Sequence, residues 1–99
     1  MMKPTVFMVM PFSDPVAAKA YEHCIQPVCE ELGADIRRAD ELFTTSVIYD
    51  DIVREIEHAT VIICDISGRN PNVYYELGVA HILKRSQTII LTHDTHEQT

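Results

Sequence analysis

Positive charge is scarce in this sequence: eight lysines and arginines stand against fifteen aspartates and glutamates, a net charge of −7. Attachment to a phosphate backbone or an anionic membrane relies on clustered cations, so both are excluded as expected partners. A single small anion is not excluded, because a helix N-terminus or one well-placed arginine can hold it locally. Long apolar runs are missing too. None approaches the roughly 20 residues that cross a bilayer, and Met1-Met2-Lys3-Pro4 has no signal-like core, so a cytoplasmic location is expected. Cys24, Cys29 and Cys64 form no CxxC unit, and the gap from Cys24 to Cys29 is no common zinc spacing. Three reduced structural thiols are the simplest reading. Internal repeats and low-complexity stretches are also absent.

What is present fits one globular core: 99 residues, 46% hydrophobic and 23% charged. Thr5 to Met10 is a short, continuous apolar run ended by Pro11, as in a strand buried on both faces of a parallel sheet. Asp14 and Pro15 supply an N-cap and a first-turn proline. Val16, Ala20, Cys24, Val28 and Leu32 then recur at helical spacing until Gly33, with Pro27 expected to bend the helix. Ala34 to Arg38 reads as a second, weaker strand. Ser46 is a candidate cap for a helix reaching about His58, with Ile48, Ile52, Ile56 and Ala59 inward. Thr60 to Asp65 is the strongest strand, apolar until a carboxylate at its end. After a turn-rich loop, Val73 to about Lys84 is helical, with Val73, Leu77 and Ala80 on one side, and Gln87 to Thr92 makes a fourth strand.

The order β-α-β-α-β-α-β predicts an α/β, flavodoxin-like (Rossmann-like) parallel sheet, strand order 2-1-3-4, with helices on both faces. The domain is expected to span 1–92. Residues 93–99 read as a polar tail, stopping where a doubly wound fold usually adds a further helix and strand. His93 and His96, with Asp94 and Glu97 nearby, are weak evidence for a metal.

Ligands of open parallel sheets bind beyond the carboxyl ends of the strands, which draws attention to the segment from Asp65 to Glu76. Gly68 permits a positive φ, Asn70 or Asn72 caps the following helix, and Pro71 suits its first turn. The amides of this loop are expected to receive phosphate or ribose oxygens. Glu76, about one turn into the helix, is expected to return toward the crevice that Asp65 enters from the sheet. Two carboxylates there suit glycosidic chemistry, one attacking or stabilising an oxocarbenium-like carbon. Each also has a plain structural explanation, since a glutamate early in a helix favours the macrodipole and a strand-end aspartate often caps the next loop. Of Tyr74 and Tyr75, one is expected to pack inside and the other to line the pocket.

The wording Asp65-Ile-Ser-Gly-Arg-Asn-Pro-Asn-Val-Tyr-Tyr-Glu-Leu-Gly-Val-Ala-His81 resembles the signature of the nucleoside 2-deoxyribosyltransferase-like superfamily, which is structurally akin to TIR domains. The resemblance implies that Glu76 is the nucleophile and that Asp65 contacts the nucleoside. It extends more loosely to Met10-Pro11-Phe12-Ser13 and Arg38-Ala39-Asp40. Phe12 becomes a stacking candidate, or else a loop anchor, and Ser13, Arg38 and Asp40 become candidate polar contacts. Ser67, Gly68, Arg69, Asn70, Asn72 and Tyr75 complete the implied substrate site, with no metal and no cofactor. The segment looks most like a bacterial TIR-like branch of NAD-cleaving effectors in antiviral defence, often fused to sensor modules. That implies NAD as a possible substrate, a homo-oligomer and a fused or associated sensor domain. Where several deoxyribosyltransferases are richer in glycine, this chain has Arg69-Asn70-Pro71-Asn72. Arg69 either binds phosphate or is solvated.

Two other classes compete. A receiver-like phosphoacceptor would place its aspartate where Asp65 lies, but it needs acidic residues after the first strand, where Met10-Pro11-Phe12 stands. The other is a catalytically silent nucleotide sensor or oligomerising signalling module. The expected activity is cleavage or transfer at the N-glycosidic bond of a nucleoside or nucleotide, with NAD hydrolysis and deoxyribosyl transfer both open.

Overall fold

A computed structural model describes residues 3–11, 13–38 and 49–94. Phe12, Asp40, the Ser46 cap, Ile48 and His96 lie outside the described residues. Four strands, β1 (Thr5–Val9), β2 (Asp35–Arg38), β3 (Val61–Asp65) and β4 (Thr88–Leu91), form one parallel sheet in the order β2-β1-β3-β4. This is the α/β flavodoxin-like arrangement expected. The central pair is the most apolar, with Val6 opposite Val61 and Val9 opposite Cys64, because both of its faces are covered.

Alternation along the strands builds two half-cores. Phe7, Val9, Ile62 and Cys64 pack on one face against α3 (Tyr49–His58) and α4 (Pro71–Leu83), through Ile52, Ile56, Ala59, Val73 and Ala80. Met8 and Met10 pack on the other against Ala17 and Tyr21, with Ile36 and Ile63 beside them. Arg37 of β2 donates to Glu55 of α3 at 2.7 Å. Among the described residues no helix is long and apolar enough to cross a membrane.

The helical stretch after β1 departs from the expected pattern. It runs as α1 (Pro15–Ala20), a π-helical segment (Tyr21–Ile25) and α2 (Gln26–Glu31). The Gln26 amide donates to Tyr21 five residues back, one residue before Pro27, whose ring nitrogen has no proton to donate. The helix thus meets its proline by widening a turn. The inner stripe is also shifted by one residue. Ala17, Tyr21 and Cys29 are buried and Ile25 partly so, whereas Val16, Cys24, Val28 and Leu32 are exposed. Both series repeat every four residues. Turns with i→i+5 bonds carry more residues, so a strict spacing of four stays longer on one face, and the Ala17 series is the one aimed at the sheet.

Candidate functional site

The order β2-β1-β3-β4 reverses direction between β1 and β3, and the chain leaves both strands on the same rim. A cleft of about 450 Å³ opens there, lined by Pro11, Ser13, Asp14 and Pro15 from one loop and Ser67, Gly68, Arg69, Asn70 and Pro71 from the other. Of the residues singled out in the sequence, the cleft brings together Ser13, Ser67, Gly68, Arg69 and Asn70.

Each lip is held by its own side chains. On the first, the Asp14 amide donates to Pro11 O (2.8 Å), and Asp14 Oδ1 accepts from the Val16 and Ala17 amides at 2.9 and 3.2 Å. On the second, the Ser67 amide donates to Asp65 Oδ1 at 3.0 Å. Asp65 is buried and at least one of its oxygens caps its own loop. Gly68 (φ 76°) and Arg69 (φ 56°) both turn left-handed, which costs an arginine on the order of 1 kcal/mol. Asn70 is the helix cap, its Oδ1 accepting from the Asn72 and Val73 amides at 2.9 and 3.3 Å, with Pro71 at the first position of α4.

Residues read in sequence as tail bridge the two lips, though none of them is among the residues lining the cleft. The Ile66 amide donates to Leu91 O at 2.9 Å, and this carries the chain after β4 over the second lip. There the His93 amide donates to the buried Ser67 Oγ at 3.0 Å, and Asp94 Oδ2 accepts from the Gly68 amide at 3.1 Å. The His93 ring reaches the opposite lip, with Nε2 at 3.1 Å from Asp14 Oδ2. Hydrogen bonding to Asp14 raises the His93 pKa, helped by the charges of Asp14, Asp94 and Asp65. The Ala17 amide, the His93 ring and the Val16 amide together hold Asp14 below the usual carboxylate range against partial desolvation. Thr92, His93 and Asp94 follow β4 as Ser67 follows β3, so the rule that drew attention to Asp65 pointed to them as well.

Glu76 is placed differently. It is not among the residues lining this cleft. It stands one turn into α4, close enough to Cys64 for its charge to raise that thiol. Cys64 and Asp65 are successive residues of β3 and so face opposite sides of the sheet. Burial alone pushes the Glu76 carboxyl up to about 7, while Cys64, fully buried, is pushed to about 12 by desolvation and then by Glu76. Tyr74 and Tyr75 are 43% and 44% exposed, so neither packs inside. Val73, Leu77 and Ala80 fill the inner face of α4 instead. Arg38, at the end of β2, lies over the Tyr21 ring at 5.1 Å from its centroid. Among the described residues no group of three or more His, Cys, Asp or Glu is arranged to hold a metal ion.

The sheet and its switch-point cleft define a flavodoxin-like α/β domain. More narrowly, the chain has the nucleoside 2-deoxyribosyltransferase-like fold. It is similar to a 2-deoxyribosyltransferase from the psychrotolerant bacterium Bacillus psychrosaccharolyticus (TM-score 0.69, 16% identity, covering 89% of this chain and 72% of that one). It is also similar to a 2-deoxyribosyltransferase from Leishmania mexicana (TM-score 0.65, 22% identity, 90% and 63%), so it spans less than two thirds of the length of that neighbour. No family model and no curated protein matches the chain.

Proposed function

We propose that this domain cleaves or transfers at the N-glycosidic bond of a nucleoside-like substrate, with Glu76 as the carboxylate that meets the sugar. The observation that carries this reading is a half-buried glutamate, pushed up to about 7 by desolvation, at the carboxyl end of the sheet in a deoxyribosyltransferase-like fold. A desolvated carboxylate is a stronger nucleophile toward a developing cation than a solvated one, because no water shell must be shed. In the reaction, the Glu76 carboxylate bonds to the anomeric carbon while the C–N bond breaks and its electron pair leaves with the base. Attack on that carbon by water then gives hydrolysis, and attack by a second base gives transfer, with the carboxylate leaving in either case. Asp65 would orient the sugar or leaving base. Ser13, Ser67, Gly68, Arg69, Asn70, Asn72, Tyr75 and Arg38, together with Phe12 and Asp40, are the proposed substrate contacts.

A second reading is favoured by one feature: Glu76 does not line the cleft, and Asp65 is engaged in capping its loop. In that reading the cleft binds a nucleoside or nucleotide without turnover, as a sensor or oligomerising module. The test is base release, followed by chromatography, from a panel of deoxynucleosides, their monophosphates and NAD. Release by the wild-type chain that falls by several powers of ten in Glu76→Gln supports the enzyme. Binding without release, even in concentrated protein, supports the sensor. NAD cleavage alone would assign the chain to NAD hydrolysis, and base exchange on adding a free acceptor base would assign it to transfer.

A further inference from the structure

The two lips of the cleft belong to loops far apart in the chain, and among the described residues no hydrogen bond runs directly from one to the other. What joins them is the chain after β4. It is fastened to the second lip at two points, by the His93 amide on Ser67 Oγ at 3.0 Å and by Asp94 Oδ2 on the Gly68 amide at 3.1 Å. The Asp94 amide in turn donates to Thr92 Oγ1 at 3.0 Å, which fixes the segment's own turn. Its third fastening crosses the cleft, from His93 Nε2 to Asp14 Oδ2 at 3.1 Å. The segment acts on the cleft through Asp14, Ser67 and Gly68, all of which line it.

We infer that His93 is a positioning residue for the cleft: protonated, its imidazolium ties Asp14 of the first lip to the Ser67–Gly68 turn of the second and holds the cleft narrow, and neutral, it releases them. The strap acts whether the ligand of the cleft is turned over or only held. The groups facing the ring are all carboxylates: Asp14 from the first lip, Asp94 of the strap itself with Oδ1 4.0 Å from Nδ1, and Asp65 at the end of β3. An imidazolium between them donates from both ring nitrogens and draws the lips together. A neutral ring donates from one nitrogen only, and the carboxylates of the two lips then face each other uncompensated. They are close, since Asp14 Oδ2 lies 3.6 Å from where a side chain at Gly68 would begin, so attraction between the lips gives way to repulsion. Arg69, the cation of the second lip, is exposed and among the described residues is paired with neither Asp14 nor Asp94, so it does not take the place of the imidazolium. The two contacts on the second lip involve no ring nitrogen and remain when the proton leaves, so it is the tie across the cleft that yields. Because the His93 pKa is raised, that tie is whole below the ordinary 6.5 and fades as pH climbs through the higher folded value.

The test reads the distance between the lips directly. A nitroxide is attached at Val16→Cys, on the exposed start of α1, in a chain also carrying Cys24→Ser, since Cys24 is exposed while Cys29 and Cys64 are buried. Its broadening of the carbon-bound protons of Gly68 is then measured by NMR between pH ~5.5 and pH ~9. The expected result is broadening about twofold weaker at the higher pH, with its midpoint at the titration of the His93 ring followed in the same spectra. In His93→Gln, and in Asp14→Asn, which keeps a side-chain oxygen to cap α1, the broadening should not change with pH. Broadening that fails to weaken with pH while His93 and Asp14 are intact overturns the inference. So does a midpoint away from the His93 titration, or a change that survives either substitution.

Discussion

A carboxyl group withdrawn from water ionises late, and Glu76 does so with its pKa pushed up to about 7. A nucleophile must be ionised, so turnover is expected to rise with pH through about 7 and level off above it, as a pH–rate profile would show. The same shift acts on stability with a definite sign. Between the ordinary value of 4.5 and about 7, the folded chain holds a proton that the unfolded chain has released, so stability falls as pH rises across that interval. Glu76→Gln removes this loss and is expected to be more stable than the wild type above neutrality, by about 2 kcal/mol, and no more stable near pH ~4. Thermal melts of both proteins across that range decide it. The His93–Asp14 pair depends on pH from both sides: the imidazole side weakens with rising pH, as Glu76 does, and the carboxylate side weakens with falling pH. Because the His93 pKa is raised, its contribution is whole below about 6.5 and fades as pH climbs through the folded value; because that of Asp14 is lowered, its contribution fades only in acid. His93→Ala should therefore melt below the wild type near pH ~5.5 and close to it near pH ~9, and equal deficits at both would show that the pairing is not ionic.

At the scale of elements, the cap of α4 is the most direct test of how the second lip is built. Asn70 satisfies two helix amides while holding the turn in which Gly68 and Arg69 lie left-handed, so Asn70→Ala is expected to cost about 1 kcal/mol and Asn70→Asp much less, measured by chemical denaturation. Such caps are local, and this one was legible to within one choice between two asparagines. Strands β1 and β3 were legible for the same reason, since continuous apolar runs ended by Pro11 and Asp65 have few alternative structures. The face of the helix after β1 was not. Two four-residue series compete there, and the choice between them depends on which side the sheet lies and on the π turn before Pro27, neither of which is encoded by spacing alone. The site divides in the same way. The loop from Asp65 to Asn72 announced itself because its cues are adjacent in sequence, while His93 and Asp94 reach Asp14, Ser67 and Gly68 across 79 and 26 residues through the pairing of β3 with β4. Only the sheet order places them there.

For the molecule as a whole, the two edges of the sheet contrast. The β2 edge is charged, with Asp35 facing Lys3 at 3.2 Å and Arg37 paired to Glu55, the usual means of keeping an edge from recruiting another strand. The β4 edge carries no charge. Ile89, Ile90 and Leu91 are 50%, 51% and 37% exposed, and since successive residues point to opposite faces, apolar surface is open on both sides of the strand. Ile82, at the far end of α4, is 81% exposed. Among the described residues no strand pairs with the outer side of β4; an edge strand with apolar side chains on both faces is a template for strand addition, and the 99-residue chain is expected to self-associate through it as concentration rises. Sedimentation velocity over a concentration series measures this. Ile90→Lys should shift the distribution toward the single chain without loss of folded structure, because the substituted side chain is half in solvent already, whereas Val28→Lys, on the exposed face of α2, should leave it unchanged. If Val28→Lys dissociates the assembly and Ile90→Lys does not, the contact lies on the helical face behind the first lip, and the β4 edge is not what holds the copies together.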